Sequence, residues 1–272
     1  LATFNQRLAQ EFSNNNHECS ILSFSLQYPR LLFPGKTQYS NENAPANLQI
    51  NSWINSINPI NWLKVGNKLR KLKPDIIVVR YWIPFMGPAL GTILRQVRKN
   101  KHTKIICIAD NVIPHEHRPG DRTFTRYFLK ACDAFVTMSE KVFNDLRKFD
   151  KNKPSIIVHH PLYDSFGEKV DKQFARQRIG VSTVQPLILF FGFIRKYKGL
   201  DLLIEAMADE RIRSSNINLL IAGEFYEDEQ YYRQLIARHQ FGTAIILRDE
   251  FIPDSEVKYY LSASDCVIQP YR

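Results

Sequence analysis

The sequence predicts an α/β protein made of two doubly wound halves, each a parallel sheet flanked by helices. Two observations carry this reading. Short β-branched and aromatic runs alternate with amphipathic stretches of helical length along almost the whole chain, the pattern left by βα units whose parallel strands are joined by crossover helices. The alternation is broken once, by a polar stretch from Pro161 to Val184 that carries Gly167 and Gly180.

In the first half, β-branched and aromatic runs predict strands at 19–24, 48–54, 76–81, 104–109, 134–138 and 156–159. Between them, helical periodicity predicts helices over 3–14, 61–72, 88–100, 122–131 and 140–149. Pro74 and Asp75 close one helix and open the next strand, because proline has no N–H to continue a helical ladder. The interruption reads as a linker over 166–184, separating a domain over 1–165 from one over 185–272. In the second domain the expected strands are 187–193, 217–222, 244–247 and 266–269, with helices over 199–208, 228–240 and 254–262.

The charge is unevenly placed. Residues 1–155 hold 23 Lys and Arg against 11 Asp and Glu, whereas residues 156–272 hold 14 against 16. A basic half joined to a near-neutral half suits an anionic partner: a phospholipid surface, a phosphorylated substrate or nucleic acid. The basic residues are scattered over several expected helices and no nucleic-acid recognition motif is present, so nucleic acid is not expected as a partner. Lys64, Lys68, Arg70, Lys71 and Lys73 follow Trp53, Ile57, Ile60, Trp62 and Leu63, a basic and aromatic segment suited to an anionic membrane face.

Cys19, Cys107, Cys132 and Cys266 lie far apart with no zinc-like spacing, which points to a reducing compartment. No apolar run approaches the ~20 residues that span a bilayer.

Open α/β sheets bind ligands beyond the carboxyl ends of their strands, so the loops there hold the candidate chemistry. One is Gly192-Phe193-Ile194-Arg195-Lys196-Tyr197-Lys198-Gly199. It brackets cations with glycines and leads into a helix, an arrangement in which Arg195, Lys198 and free backbone N–H groups grip phosphate oxygens. It is neither a P-loop nor a dinucleotide fingerprint. A second runs from Asp110-Asn111 through Pro114-His115-Glu116, where His115 and Glu116 are placed to orient a hydroxyl or take its proton. Arg80 and Trp82, at a third strand end, line a sugar or lipid pocket or plug the space beneath a loop. Glu227-Asp228-Glu229 suits the acidic first turn of a helix better than a metal site.

Phe190-Phe191-Gly192 through Lys198-Gly199-Leu200 to Glu205-Ala206, with Leu219 to Gly223, Phe251-Ile252-Pro253-Asp254 and Ser264 to Arg272, resembles the C-terminal domain of the large retaining GT-B family of nucleotide-sugar-dependent glycosyltransferases. Lys73 to Ile77, the loop from Asp110 to Glu116, and Ala131 to Glu140 are similar to its N-terminal domain. The resemblance implies two Rossmann-like domains, with a nucleotide-diphosphate sugar held mainly by the second and a glycan or lipid-linked acceptor by the first. By this resemblance, Arg195, Lys198 and Gly192 hold the donor diphosphate. Asp110, His115 and Glu116 are the catalytic candidates, and Asn111, Arg80 and Trp82 lie on the acceptor side. Asp249 and Glu250 fall near the base.

The match has departures. Many members place arginine directly after the glycine, where this chain has Phe193, and histidine where it has Asp110; Asp110 and His115 both remain candidates for contact with the donor sugar. The resemblance also implies a glycine-rich loop and a central first strand before Leu1, and a Glu-x7-Glu motif after Arg272. The chain is therefore expected to be a piece lacking both ends and inactive alone. No metal or other cofactor is expected, since no Asp-x-Asp pair is present. The implied role is synthesis of envelope polysaccharide, in the cytoplasm or at the inner face of its membrane. The competing readings are a nucleotide-sugar epimerase of the same fold and a basic, non-catalytic anion-binding or nucleic-acid-binding protein.

Overall fold

The computed structural model describes residues 2–29, 48–114, 118–161 and 166–272. The chain divides into two compact units, one ending at Pro161 and the other continuing to Arg272.

The first unit runs α1 (Ala2–Asn14), β1 (Ser20–Leu26), β2 (Gln49–Asn55), α2 (Pro59–Leu72), β3 (Ile76–Tyr81), α3 (Gly87–Arg98), β4 (Lys104–Ala109), α4 (Asp121–Leu129), β5 (Ala134–Thr137), α5 (Glu140–Arg147) and β6 (Ser155–Ile157). Every strand and helix expected in this half is present, its ends shifted by at most a residue or two. β3, β4, β5 and β6 form one parallel sheet in chain order, and β1 and β2 form a separate parallel pair. Packing joins the two sheets: Leu22, Phe24 and Trp53 lie against the core that holds Tyr81, Ile105, Cys107 and Phe135. Phe24 meets Trp82 edge-on, and the Trp82 indole N–H donates to the Tyr28 hydroxyl at 2.7 Å.

Sequence explains how α2 seats. Asn58 caps it by accepting from the Ile60 and Asn61 N–H groups, and Pro59 occupies the first turn, where no N–H is needed. The Asn61 side chain accepts from Asn55 N–H and donates to the Trp53 carbonyl, and Trp62 donates to the Asn55 carbonyl. These bonds staple α2 to the end of β2. Its outer face exposes Ile60, Leu63 and Leu72 beside Lys64, Lys68 and Lys71.

The second unit runs α6 (Lys172–Arg178), β7 (Leu187–Phe191), α7 (Leu200–Met207), α8 (Glu210–Arg213), β8 (Asn218–Ala222), α9 (Glu229–Arg238), β9 (Ile245–Arg248), α10 (Asp254–Ala263) and β10 (Cys266–Val267). Its parallel sheet has the order β10-β7-β8-β9. All five residues of β8 are buried, as in a strand covered on both faces. The strand order reverses at β7, which places the crevice of this sheet at the carboxyl end of that strand.

The stretch 166–184 is not a bare linker. It carries α6, whose Ala175 is buried in the second unit's core together with Ile179 and Val181. The physical reason is Arg176, only 3% exposed, which donates to the carbonyls of Ala263, Ser182 and Gln185 and to the Asp265 carboxylate. A polar sequence is drawn into the fold because its charge is fully bonded there. Asp228 and Glu229 serve α9: Asp228 caps Gln230 N–H, and Glu229 accepts from Arg233 four residues on.

Candidate functional site

The loop after β7 begins where two backbones touch. A Cβ built on Gly223 would stand 2.2 Å from the Gly192 carbonyl oxygen, so the chain can carry no side chain there. The Gly192 N–H donates to the Ala222 carbonyl, extending the ladder between β7 and β8 by one residue. Ile194 then buries completely and exchanges backbone bonds with Glu224 and Tyr226. Arg195 opens a 3-10 turn, Lys196–Lys198, and Gly199 delivers the chain into α7. At Gly199 φ is +72° and a Cβ would lie 2.1 Å from the Pro270 carbonyl oxygen, so the sequence again requires glycine.

Folding this way gathers the three expected anion-binding residues. The Lys198 ammonium lies over Gly192, 3.2 Å from where a Cβ would stand. Its pKa is held below the ordinary lysine value, first because burial desolvates the ammonium and second because Arg195 is cationic beside it. Among the described residues no carboxylate engages either cation. The nearby acids are spent elsewhere: Asp201 pairs with Arg272, and Glu227 accepts the Lys196 backbone N–H at 2.7 Å. Arg195 stands over the Tyr226 ring at 5.0 Å, and the N-terminus of α7 has no side-chain cap. Two adjacent unneutralised cations at a strand's carboxyl end form a ready site for an oxyanion.

Beside them is a cleft of about 150 Å3 floored by Gly192 and Gly223. Phe191, Phe193, Phe251 and Val257 line it. Phe193 stacks on Tyr226 with centroids 4.4 Å apart and lies 6.4 Å from Phe251. Glu224 and Asp254 supply the polar lining among the described residues. This cleft was not legible as a unit from sequence. Asp249 and Glu250, the residues expected near a base, do not line it, Asp249 pairing with Arg233 at 2.6 Å; Phe251 and Asp254, for which no such role was expected, do.

In the first unit, the strand ends bring Arg80 and Asp110 together across 30 residues. The Arg80 Nε donates to Asp110 Oδ2 at 2.8 Å and its Nη2 donates to Oδ1. The Arg80 side chain is 8% exposed, its Nη1 has no acceptor among the described residues, and Phe4 covers the guanidinium at 4.1 Å. Both Asp110 oxygens are therefore engaged, which makes this residue a fixed charge. The Asp110 and Asn111 N–H groups both donate to the Tyr81 carbonyl, which sets their loop at the end of β3. Trp82 packs as a plug against Phe24 and Tyr28. His115 and Glu116 lie outside the described residues. Among the described residues no group of three or more His, Cys, Asp and Glu side chains is placed to hold a metal ion.

Residues 1–164 match the family described as Glycosyltransferase Family 4, and residues 171–272 match that described as Glycosyl transferases group 1. No curated protein matches the chain. Among solved structures, sucrose-phosphate synthase from Thermosynechococcus elongatus is similar with a TM-score of 0.68 at 14% identity, over 99% of this chain and 71% of that one. A glycosyltransferase from Rickettsia africae gives 0.61 at 17% identity, over 82% and 60%. The Anabaena protein HepE, in complex with UDP and glucose, gives 0.59 at 14%, over 82% and 60%. The chain thus spans 60% of the length of two of these structures and 71% of the third.

Proposed function

The chain belongs to Glycosyltransferase Family 4, with a GT-B-type fold of two Rossmann-like halves, and from that premise we propose that the complete protein moves a sugar from a nucleotide-diphosphate donor to a hydroxyl acceptor with retention of anomeric configuration. The observation that carries this reading is the pair Arg195 and Lys198 at the carboxyl end of β7, with no carboxylate among the described residues engaging either. In the reaction, the bond from the anomeric carbon to the diphosphate oxygen breaks, and the diphosphate departs with the electron pair. The acceptor hydroxyl attacks from the same face as the diphosphate leaves, and its proton passes to the departing diphosphate oxygen. Arg195 and Lys198 carry the charge that grows on the leaving group, a preorganised role whose loss costs about 10²- to 10³-fold in rate. Asp110, fixed by Arg80, presents a positioned negative charge, and His115 or Glu116 orients the acceptor. The acceptor is a glycan or lipid-linked sugar of envelope polysaccharide. This reading treats the site as independent of a metal.

The test is product analysis with the full-length protein. The reading requires a glycoside on the acceptor with the donor's anomeric configuration, lost in Arg195→Ala and Lys198→Ala. A free epimerised sugar, with no glycoside, would establish the epimerase reading instead.

The exposed face of α2 supports a finer placement at an anionic membrane surface. Ile60, Leu63 and Leu72 lie beside Lys64, Lys68 and Lys71, and the Lys68 ammonium rests 3.3 Å from the Trp53 ring centroid. Among the described residues no helix is long and apolar enough to cross a membrane. Sedimentation with anionic liposomes tests the placement: binding that survives replacement of Lys64, Lys68, Arg70, Lys71 and Lys73 by Gln would rule out this face.

A further inference from the structure

We infer that the cleft beside Arg195 and Lys198 selects guanine, and that Asp254 is the residue that reads it; this deepens the donor reading above and rests on it. The cleft offers aromatic surface for a flat ring to lie against. Phe193 and Phe251 lie near parallel at 29°, and the floor is bare backbone where Gly192 meets Gly223. The two cations that would hold a diphosphate lie beside the cleft: the Lys198 ammonium over Gly192, and Arg195 over Tyr226, which stacks on Phe193. A nucleoside diphosphate satisfies both halves: phosphates on the cations, base in the cleft.

The polar lining narrows the base. The cleft's charged side chains among the described residues are Glu224 and Asp254, and none of its lining side chains offers an N–H or O–H donor. Asp254 stands at the first position of α10, partly exposed, and among the described residues no hydrogen bond or ion pair engages its carboxylate. An ionised carboxylate only accepts. Guanine presents two adjacent donors on its Watson–Crick edge, N1–H and N2–H2, and a carboxylate takes both at once. Adenine and cytosine place a ring nitrogen lone pair beside their amino group, and uracil flanks its N–H with two carbonyl oxygens. Each would turn a lone pair toward the carboxylate and be repelled. Pro253, which precedes α10, gives the helix no side-chain cap, leaving first-turn N–H groups suited to a base carbonyl such as guanine O6.

Calorimetric titration of the full-length protein with GDP, ADP, UDP and CDP tests the inference. The expected result is GDP tightest by about tenfold or more, the value of one good bidentate base contact. In Asp254→Asn the preference passes to ADP, because an amide pairs one acceptor and one donor with adenine N6 and N1. An order led by ADP, UDP or CDP in the unaltered protein overturns the inference while leaving the donor reading intact. An order unchanged in Asp254→Asn removes Asp254 as the reader. Binding of none of the four overturns the donor reading itself, and this inference with it. The ranking in the unaltered protein is decisive whether or not the variant folds.

Discussion

Gly192 and Gly223 meet backbone to backbone, with space for no Cβ on Gly223: that atom would stand 2.2 Å from the Gly192 carbonyl oxygen. The contact closes the carboxyl ends of β7 and β8 and makes the floor of the cleft. Gly223→Ala must push the two strand ends apart at a residue whose φ is +147°. The expected cost is about 2 kcal/mol of stability, read as a lower urea midpoint, together with weaker binding of nucleoside diphosphates.

Lys198 carries the pH prediction. Its folded pKa lies below the ordinary value of 10.5, so between the two values the unfolded chain binds more protons than the folded one. Stability contributed at this site therefore rises with pH across that window, and the penalty is fully present below it. Lys198→Met removes the penalty. The variant is expected to be more stable than the parent near neutral pH, to lose that advantage above pH ~10, and to bind no nucleoside diphosphate. Urea midpoints at neutral and alkaline pH, with calorimetric titration, check all three.

The Arg80–Asp110 pair is expected to be costly to break and cheap to replace. Asp110→Ala leaves a guanidinium that is 8% exposed without the carboxylate that pairs with it, a loss of about 3–5 kcal/mol. Arg80→Met with Asp110→Leu removes both charges and recovers most of that stability. Transfer activity is expected to stay lost in the double variant. A double-mutant cycle in urea, run beside a transfer assay, separates the two effects.

Arg176 ties α6 to the rest of its unit. Arg176→Met strands the carbonyls of Ala263, Ser182 and Gln185, and the expected cost is about 3 kcal/mol. Its partner Asp265 is held below the ordinary value of 3.8, chiefly by the Lys172 side chain and the Leu187 N–H. A depressed carboxylate stabilises fully above its unfolded value and loses that contribution as pH falls through the folded one. Asp265→Asn is therefore expected to flatten the loss of stability below pH ~4, measured by acid titration of the circular dichroism signal.

Where the signal is local, sequence reached far. The strands from Ile76 to Tyr81 and Lys104 to Ala109 match residue for residue, because both read as β-branched apolar runs, even though Ile76 and Val78 stay exposed. Gly192, Arg195 and Lys198 were legible as a set because one eight-residue loop carries them and a strand and a helix fix its ends. Helix α6 was not, since its burial depends on Arg176 finding carbonyls at 182, 185 and 263 and the Asp265 carboxylate.

The alternation of strands and helices, the two-unit plan and the cationic loop follow from amino-acid order alone, because all of them depend on periodicity and near neighbours. Which charges pair with one another is set by packing between distant segments. Arg80 and Asp110 both looked available and proved to be each other's partner, whereas no carboxylate among the described residues pairs with Arg195 or Lys198. The cleft walled by Phe193, Phe251 and Asp254 exists only once β7, β8 and α10 are brought together. Pairing and enclosure depend on distances between residues remote in the chain, and those distances are set by how the sheet and helices pack.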